Sequence, residues 1–383
     1  MIKTDVCIVG AGPAGASTSL MLSKLKIEHY IIDKAIFPRD KTCGDGLILH
    51  AYKSLVTLGL FDAFLTNSKF IHSKNINLYI KTNLKLQFKE SEDRDMAISY
   101  GKRIDFDHFL VNELSKQYTT CEFGSGVKNL EEVAEGIKIT LKNGKQITSK
   151  IVVGADGIQS IVSRKLTGFI PDKKKMSTFI SAYFKNVKIP IDKAAEIRLH
   201  YHKMPLFFYV FPLANNEVNV SLGGNAQKIF KNNINLKDEI ESIIKTHPKV
   251  AYKFADAQQV GAWRGWGIPY HFKKQKICGN RFLLVGDAAG LANSFYKEGV
   301  GTGMMSGIIC AQKISTCLKE NNFSAAFMSS YKKDLNKEFG KLLRFSEFAL
   351  KLAKFKAVFA RIARFSKRIV EKRAPSIIRK RSY

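Results

Sequence analysis

Short apolar runs and a helical segment alternate at the start of the chain. Residues 5–9 and 30–32 are mostly apolar, as buried strands are, and residues 14–24 have the composition of a helix. A glycine-rich turn joins the first strand to the helix. The pattern predicts a β-α-β unit.

Farther along, the predicted strands fall into two groups. Residues 136–157 predict a hairpin that turns at Asn143 and Gly144 and ends in a buried strand, and residues 281–290 contain another buried strand. Residues 75–88 and 178–224 alternate apolar and polar positions, as the strands of a second sheet do. Helices are predicted at residues 102–117 and from about Val300. The second sheet is therefore expected to be inserted into the first fold.

The turn after the first strand has the spacing Gly10-x-Gly12-x-x-Gly15, and Asp33 ends the next strand. Gly10 permits a tight turn, Gly12 lets the backbone approach a pyrophosphate, and Gly15 lets the helix pack against the strand. The helix N-terminus attracts anions, and Asp33 can accept hydrogen bonds from ribose hydroxyls. The combination predicts a dinucleotide site. This site is also expected to include Pro13, Ala14 and Lys34.

A second segment, GDAAG at residues 286–290, also follows a buried strand. Ligands of α/β folds bind at the carboxyl ends of the strands, so Asp287 would face the dinucleotide. An NAD enzyme has no evident need for this second contact, whereas the longer FAD needs contacts along its ribityl chain. The two segments together favour FAD. A helix N-cap is the alternative role for Asp287.

These patterns predict an α/β fold, α+β overall. It consists of a Rossmann-like FAD-binding domain, an inserted mixed β-sheet domain that covers the substrate, and a helical C-terminus. We assign residues 1–70, 100–170 and 273–335 to the FAD-binding domain. The inserted sheet is assigned to residues 71–99 and 171–272, and a basic amphipathic helical region to residues 336–383.

Charge is the unusual property of the composition. Lys and Arg number 62 against 33 Asp and Glu, which gives a net charge of +29. Residues 339–383 contain fourteen basic and two acidic residues, with Phe348, Leu352, Phe355, Phe359 and Ile362 at helical spacing. This pattern predicts a basic amphipathic helix that lies on an anionic membrane surface. A helix packed on its own domain is the alternative.

Other partners and compartments are less compatible with the sequence. No recognised nucleic-acid-binding module accompanies the charge, so nucleic acid is not an expected partner. The first residues lack a signal-peptide pattern, and no apolar run has the length of a membrane-spanning helix. We expect a protein that is either free in the cytoplasm or peripheral on the inner face of the cytoplasmic membrane.

Six cysteines are scattered along the chain without a C-x-x-C pair or a zinc-type cluster, so neither disulfides nor a metal site is expected. Cys310 and Cys317 would share one helix face as core residues. Cys43 lies in FPRDKTCGDGL, residues 37–47, and is either buried filler or an active-site residue. His200 and His202 share a strand face, but without a third ligand they are expected to be a polar surface pair.

Six segments resemble the geranylgeranyl reductase family, within the flavoproteins that share the p-hydroxybenzoate hydroxylase fold. They are GAGPAG (10–15), PRDKTCGDGL (38–47), RIDFDHFL (103–110), GADGIQSIVSRKL (154–166), FPL (211–213) and GDAAGLANSFYKEGVG (286–301). The first, fourth and last are shared by the whole flavoprotein group. The cysteine segment is narrower and indicates the reductases.

The resemblance implies roles for single residues. Arg103 corresponds to the arginine that contacts the FAD phosphates, with a surface salt bridge as the alternative, and Asp287 corresponds to the ribityl-binding aspartate. Cys43 would be catalytic, as a small polarizable wall or a participant in a proton relay beside the flavin. The cofactor site would further include Cys43, Gly44, Gly46, Val127, Asp156, Gly157, Gly299 and Val300.

Two departures from the family concern the substrate side. Ser294 and Lys297 stand where the family usually has proline and glycine, so either a cation lies near the flavin or the loop points elsewhere. The family pattern Tyr-x-Trp-x-Phe-Pro-Lys is FFYVFPL here, and Leu213 replaces the lysine. That replacement weakens the expectation of an anionic head group on the substrate.

The aromatic residues of the family pattern are retained as Phe207, Tyr209 and Phe211. They form an aromatic wall that we assign to substrate binding. Such a wall suits a long apolar substrate and can stabilise positive charge on an alkene carbon. A buried strand without a substrate role is the alternative. WRGWGIP at residues 263–269 approximates the Trp-x-Trp-x-Ile-Pro signature of flavin-dependent halogenases. Its tryptophans are three apart and would point to opposite faces of a strand, so this reading is not favoured.

We therefore expect an FAD-dependent oxidoreductase that reduces C=C bonds of a prenyl (geranylgeranyl-type) lipid or quinone by hydride transfer from reduced flavin. The expected electron donor is NAD(P)H or reduced ferredoxin. An FAD-dependent monooxygenase acting on a lipophilic substrate is the first alternative. A membrane-docked flavin electron carrier is the second.

Overall fold

The structure is a computed structural model that describes residues 2–79, 85–87, 98–270, 272, 275–295 and 297–352. The strands are β1 (Ile2–Val9), β2 (His29–Asp33), β3 (Gly46–Leu47), β4 (Ile71–Ser73), β5 (Ile76–Tyr79), β6 (Lys85–Gln87), β7 (Ile98–Tyr100), β8 (Thr119–Phe123), β9 (Val127–Val133), β10 (Gly136–Leu141), β11 (Gln146–Gly154), β12 (Met176–Lys185), β13 (Ala195–His202), β14 (Met204–Pro212), β15 (Glu217–Asn225), β16 (Gln258–Pro269), β17 (Cys278–Gly279) and β18 (Phe282–Leu284). The helices are α1 (Pro13–Lys24), α2 (Leu49–Leu58), α3 (Phe61–Thr66), α4 (Arg103–Asn112), α5 (Ile161–Thr167), α6 (Ala226–Lys231), α7 (Leu236–Thr246), α8 (Val300–Lys319), α9 (Ala325–Met328) and α10 (Ser330–Leu352).

The predicted β-α-β unit lies in the middle of a largely parallel sheet. β1 pairs in parallel with β2 on one side and with β11 on the other, and β8 and β18 extend the parallel part. The predicted hairpin adds β9 and β10 in antiparallel order. Residues 6–9 of β1 are buried because both faces of this sheet are covered, which explains their unbroken apolar character.

The second predicted sheet has the strand order β16-β12-β15-β14-β13-β5-β6. Its neighbours are antiparallel except for β13 and β5. One face packs on α7 through residues such as Phe208 and Leu222, and the other carries Phe179, Phe207 and Tyr209. Successive side chains along these strands point to opposite faces of the sheet. One face therefore packs against α7, and the other forms a separate apolar cluster.

A small sheet of β3, β4 and β7 fixes the cysteine-containing loop. Gly46 pairs with Tyr100, and the Gly101 amide donates a hydrogen bond to the Asp45 carbonyl at 3.1 Å. The loop is therefore held against the segment that leads into α4. This arrangement brings residues 43–46 next to the second sheet.

Close helix packing positions the glycine-rich turn. α1 begins at Pro13, whose missing amide hydrogen costs nothing at the first helical position. A Cβ on Gly307 of α8 would lie 2.4 Å from the Ala14 carbonyl oxygen and 2.7 Å from Thr18 Oγ1. Only glycine therefore allows α8 to approach the first turns of α1.

The structure confirms the α/β fold with a second sheet, whereas the residue boundaries of the two domains stay predictions. Trp263 and Trp266 lie in different apolar clusters on opposite faces of the second sheet, as predicted. Cys310 and Cys317 are both buried core residues. In the part of the chain that the structure describes, no helix is long and apolar enough to cross a membrane. Of the predicted basic C-terminal region, residues 353–383 lie outside the described residues.

The helix predicted at residues 102–117 is wrong at its C-terminal end. α4 stops at Asn112, and the Ser115 hydroxyl accepts hydrogen bonds from the amides of Gln117 and Tyr118. A serine that binds nearby backbone amides competes with helix formation and favours a turn. The turn leads directly into β8.

We predict that Gly307→Ala destabilises the protein by roughly 1–3 kcal/mol, because the added methyl group overpacks the contact between α1 and α8. Gly340→Ala in α10 is the matched control, since its Cβ would have no neighbour closer than 3.6 Å. That change is expected to be neutral or to stabilise by roughly 0.5–1 kcal/mol. Urea unfolding of both variants measures the difference, and equal effects would contradict the packing argument.

Candidate functional site

The glycine-rich turn forms a tight backbone cradle at the end of β1. Gly10 has φ +104, and a Cβ there would lie 2.4 Å from the Ala155 carbonyl oxygen. A Cβ on Gly15 would lie 1.8 Å from the Gly10 carbonyl oxygen. Gly12 caps α1 without a side-chain hydrogen bond, and the first turn has no acidic residue. The unpaired N–H groups in the first turn of α1 are therefore available to bind an anion.

Asp33 lies beside this cradle. Its carboxylate accepts hydrogen bonds from the amides of Ala11 (2.8 Å) and Ala35 (2.9 Å), and the residue is 8% exposed. Lys34 is exposed directly after it, and Val127 is buried at the start of β9. The structure thus brings Asp33 to the glycine turn, with Lys34 and Val127 near the end of the same sheet.

Two arginines share one buried carboxylate next to the turn. Arg103 donates two hydrogen bonds to Asp107, from Nε at 2.6 Å and from Nη2 at 2.8 Å. Arg39 Nη1 lies 3.1 Å from Asp107 Oδ2 but has no hydrogen-bond partner among the described residues. Arg39 Nη2 would lie 3.3 Å from a Cβ on Gly12. Two positive charges against one negative charge leave an excess positive charge at the glycine turn.

Asp287 lies on the other side of these cations. It is the second residue of a short 3₁₀ turn, Gly286–Ala289, whose N-cap position is Val285, so the predicted alternative role of Asp287 as an N-cap is wrong. A Cβ on Gly299 would lie 3.2 Å from Asp287 Oδ1. Burial raises the pKa of Asp287, whereas Lys41 and Arg103 oppose that shift. Asp287 therefore lies against Gly299, the residue that precedes Val300 at the N-terminus of α8.

Asp156 is engaged with the protein itself. Its Oδ2 accepts hydrogen bonds from the amides of Ile161 (2.6 Å) and Val162 (3.4 Å), whereas its buried Oδ1 has no partner among the described residues. Gly157 follows with φ +76. Asp156 thus holds the start of α5 near the glycine turn, where Ala155 contacts Gly10.

These features fit FAD on three observations. The glycine cradle is one that a Cβ would fill, the buried Arg39 Nη1 lacks a hydrogen-bond partner, and α1 begins without a side-chain cap. The pyrophosphate would lie at Gly12 and Arg39, a ribose at Asp33, and the ribityl chain at Asp287. Arg39 and Lys41 were not assigned from the sequence, although both lie in the PRDKTCGDGL segment. Their basic character was the signal that could have identified them.

Cys43 lies between the arginine cluster and the second sheet. Burial raises the pKa of the Cys43 thiol, whereas the positive charge of the nearby Arg103 guanidinium opposes that shift. The Cys43 carbonyl accepts a hydrogen bond from Asn219 Nδ2 at 2.8 Å. A Cβ on Gly46 would lie 2.9 Å from Phe211 Cε2, and one on Gly44 would lie 3.8 Å from the same atom. Gly46 therefore lets the loop lie directly on the aromatic wall, whereas a Cβ at Gly44 would make only an ordinary contact.

Asp45 is a buried acid that sequence reasoning did not assign. It is 2% exposed with φ +63, and its Oδ2 accepts a hydrogen bond from Asn219 Nδ2 at 2.7 Å. The Tyr183 hydroxyl also favours the charged carboxylate, and Oδ1 has no hydrogen-bond partner among the described residues. Burial raises the pKa of Asp45 to about 7, against the effects of Asn219 and Tyr183. No pattern around Asn219 or Tyr183 in the sequence indicated this contact.

The predicted aromatic wall is continuous on the inner face of the second sheet. The ring centroids of Phe207 and Tyr209 are 6.3 Å apart, and those of Tyr209 and Phe211 are 5.3 Å apart. Phe179 stacks on Tyr209 at 5.7 Å, and Tyr100 lies 5.5 Å from Phe211. Burial raises the pKa of Tyr209, so its phenol stays neutral. The wall is buried in this state and ends at the cysteine loop.

Lys297 points into the far end of this wall. Its Nζ donates hydrogen bonds to Ser177 Oγ at 2.9 Å and to the Ser294 carbonyl. It also lies 5.6 Å from the ring centroid of Phe207 and 5.5 Å from that of Tyr270. Lys297 therefore lies in the aromatic cluster, in the loop that leads to Gly299. Its expected position near the flavin stays a prediction.

His200 and His202 both bind Glu239, at 2.5 Å and 2.9 Å. They therefore link β13 to α7, in a polar pair as expected. Within the described residues, no group of three or more His, Cys, Asp or Glu side chains could hold a metal ion.

The chain is similar to FAD-binding proteins over most of its length. The profile of the FAD binding domain family matches residues 3–346. Digeranylgeranylglycerophospholipid reductase 2 of Methanopyrus kandleri is 25% identical over 373 residues, which cover 92% of this chain and 86% of the relative. Menaquinone reductase of Mycolicibacterium smegmatis is 23% identical over 82% of this chain and 77% of the relative.

A solved structure shows the same fold. The geranylgeranyl bacteriochlorophyll reductase-like protein of Thermoplasma acidophilum superposes with a TM-score of 0.82 at 21% identity. The match covers 97% of this chain and 90% of that protein. The resemblance to geranylgeranyl reductases and the predicted fold class are thereby confirmed.

We predict that Arg39→Gln weakens FAD binding by about tenfold or more, because it removes a charge-assisted donor at the glycine turn. Arg264→Gln is the matched control, since this exposed arginine binds Asp40 in the same segment. Titration of apoprotein with FAD measures the two affinities. An unchanged affinity in Arg39→Gln would contradict the placement of the pyrophosphate.

We predict that Asp45→Asn stabilises the protein more at about pH 8 than at about pH 5. The wild-type carboxyl has a pKa of about 7 in the folded state and 3.8 as its ordinary value, so the folded state holds the proton more tightly. Stability is therefore lost as pH rises from about 4 to about 7, by on the order of a few kcal/mol. Asparagine does not titrate in this range. Urea unfolding at both pH values tests the prediction, and an equal difference at both would contradict it.

Proposed function

Because the chain belongs to the FAD binding domain family, we propose that this FAD-dependent oxidoreductase reduces C=C bonds of a prenyl lipid or prenyl quinone. One observation carries the proposal: the Cys43 loop lies between the arginine cluster of the nucleotide cradle and the aromatic wall. It contacts Arg103 on one side and Phe211 on the other. A group bound at the cradle and an apolar chain on the wall would therefore meet at this loop.

When bound and reduced, FAD supplies a hydride to one carbon of the double bond. The positively polarised N-terminus of α8, at Gly299 and Val300, would stabilise the negative charge of the reduced cofactor. Asp287 and Arg103 would hold the bound cofactor next to the Cys43 loop. The chain's own residues must then provide the second hydrogen as a proton.

Two side chains beside the loop hold protons near neutral pH. The Cys43 thiol stays protonated because burial raises its pKa, and a thiolate left after donation would be stabilised by Arg103. Asp45, next to it, has a pKa of about 7 and can take up or release a proton in that range. We propose that Cys43 donates the proton to the other carbon and that Asp45 takes part in restoring it.

The wall sets the class of substrate. Phe207, Tyr209 and Phe211 provide apolar and aromatic surface for an extended hydrocarbon chain. Their ring faces can stabilise positive charge that develops on carbon when proton transfer runs ahead of hydride transfer. The reductases of Methanopyrus kandleri and Mycolicibacterium smegmatis are named for prenyl-type substrates. That agreement supports a prenyl chain as the occupant of the wall.

The electron donor and the membrane surface are two further proposed partners. We propose NAD(P)H or reduced ferredoxin as the electron donor. A lipophilic substrate and a net charge of +29 support a peripheral position on an anionic membrane surface.

The experiment is mass spectrometry of products after the dithionite-reduced protein meets a geranylgeranyl lipid without air, repeated with air admitted. The proposal predicts a gain of hydrogen pairs without air. Gain of oxygen only with air would overturn it in favour of a monooxygenase.

The same assay tests Cys43. Cys43→Ala is expected to retain FAD and to lose at least tenfold in the rate of hydrogen addition, because general acid catalysis is typically worth more than that. Cys121→Ala is the control, since Cys121 is exposed on β8. Unchanged turnover in Cys43→Ala would reduce Cys43 to a packing role.

A further inference from the structure

Lys297 carries a charge that no carboxylate among the described residues balances. Its ammonium group is surrounded by Ser177, the Ser294 carbonyl and the rings of Phe207 and Tyr270. The described residues supply no carboxylate within ion-pair distance. Two neutral oxygens and two ring faces compensate only in part for the lost hydration of a cation. Burial accordingly lowers the pKa of Lys297 to about 7.

The backbone at this position adds a second cost. Lys297 has φ +60, in the left-handed region that residues with a Cβ seldom adopt. Neither the conformation nor the unbalanced charge stabilises the folded protein. Unfavourable backbone conformations and unbalanced charges are typically retained at functional sites. Their presence here therefore indicates a function for the loop that ends at Gly299.

The position of the ammonium group relative to the wall indicates its ligand. From Lys297 the rings follow in the order Phe207, Tyr209 and Phe211, and Phe211 contacts Gly46 of the Cys43 loop. A molecule that lies along the wall with one end at Lys297 would present an apolar chain toward Cys43. The end at Lys297 would satisfy the cation best if it were anionic.

We propose that Lys297 binds an anionic head group of the substrate, and that the substrate is a prenyl chain linked to a phosphate or a similar anion. This inference rests on the proposed function, because it assumes that the wall holds a prenyl chain. Fixing the head group at one end would determine which double bond reaches the Cys43 loop. Lys297 is thus a residue that determines specificity and register.

The test compares geranyl monophosphate with geraniol, which share one short chain and differ in charge, and adds inorganic phosphate alone. Binding to the FAD-loaded protein is measured by titration calorimetry for the wild type, Lys297→Met, Lys297→Arg and Lys313→Met. Methionine keeps a similar length and the same demand on the backbone. Lys313 is a suitable control because it is a buried lysine on α8 whose Nζ lies 3.8 Å from the Phe327 ring centroid.

The wild type is expected to bind geranyl monophosphate at least about tenfold tighter than geraniol, as a charge-assisted hydrogen bond provides. Lys297→Met should lose this preference while its affinity for geraniol and its flavin content stay unchanged. Lys297→Arg and Lys313→Met should retain it. The neutral ligand thereby separates loss of the head-group contact from loss of the pocket.

Several results would overturn the inference. A wild-type protein without the preference, or a Lys297→Met variant that keeps it, would show that Lys297 does not bind the head group. Inorganic phosphate that binds as tightly as geranyl monophosphate would assign the site to free phosphate instead. If the flavin-loaded wild type binds neither prenyl compound, the proposed function fails and this inference fails with it. Binding of geraniol without the preference overturns this inference alone.

Discussion

Two guanidinium groups share the single buried carboxylate of Asp107, and the rest of the site is arranged around that imbalance. Arg103 donates two hydrogen bonds to Asp107, and its charge also acts on the Cys43 thiol. Arg39 places Nη1 3.1 Å from Asp107 and Nη2 beside the glycine turn. A buried carboxylate can hold the arginines in place without neutralising both. The excess charge then faces the position that a pyrophosphate would take.

The inner face of the second sheet completes the site. Its side chains form successive rows that run across the strands. Tyr183, Asn219 and Phe211 form one row across β12, β15 and β14, and this row meets the Cys43 loop and Asp45. The next rows toward Lys297 carry Tyr209, then Phe179 and Phe207. Cys43 and Asp45 therefore lie at one end of an aromatic surface, and Lys297 lies near the other. In the proposed function, the Lys297 end would select substrates by their charge, and the Cys43 end would be where the double bond receives its proton.

The sequence allowed the fold to be predicted where local patterns are strong. The glycine spacing, the apolar strand around Val6 and the Asn-Gly hairpin each follow from local steric and burial rules, and each is present in the structure. The sharing of Asp107 by Arg39 and Arg103 could not be predicted, because it depends on a loop and a helix that are far apart in the chain. The same applies to Asp45, whose partner Asn219 is 174 residues away. Lys297 was noticed as a departure from the family, but only the fold shows that it lies over Phe207.

In the proposed function, a prenyl double bond is reduced at the Cys43 loop by flavin held in the cradle. The decisive experiment is anaerobic stopped-flow, in which the reduced protein is mixed with a geranylgeranyl lipid and the absorbance of oxidised flavin is followed. We expect oxidised flavin to return without oxygen, at a rate that rises with lipid concentration. Flavin that stays reduced with the lipid and is oxidised only when air enters would show that the protein does not reduce this lipid.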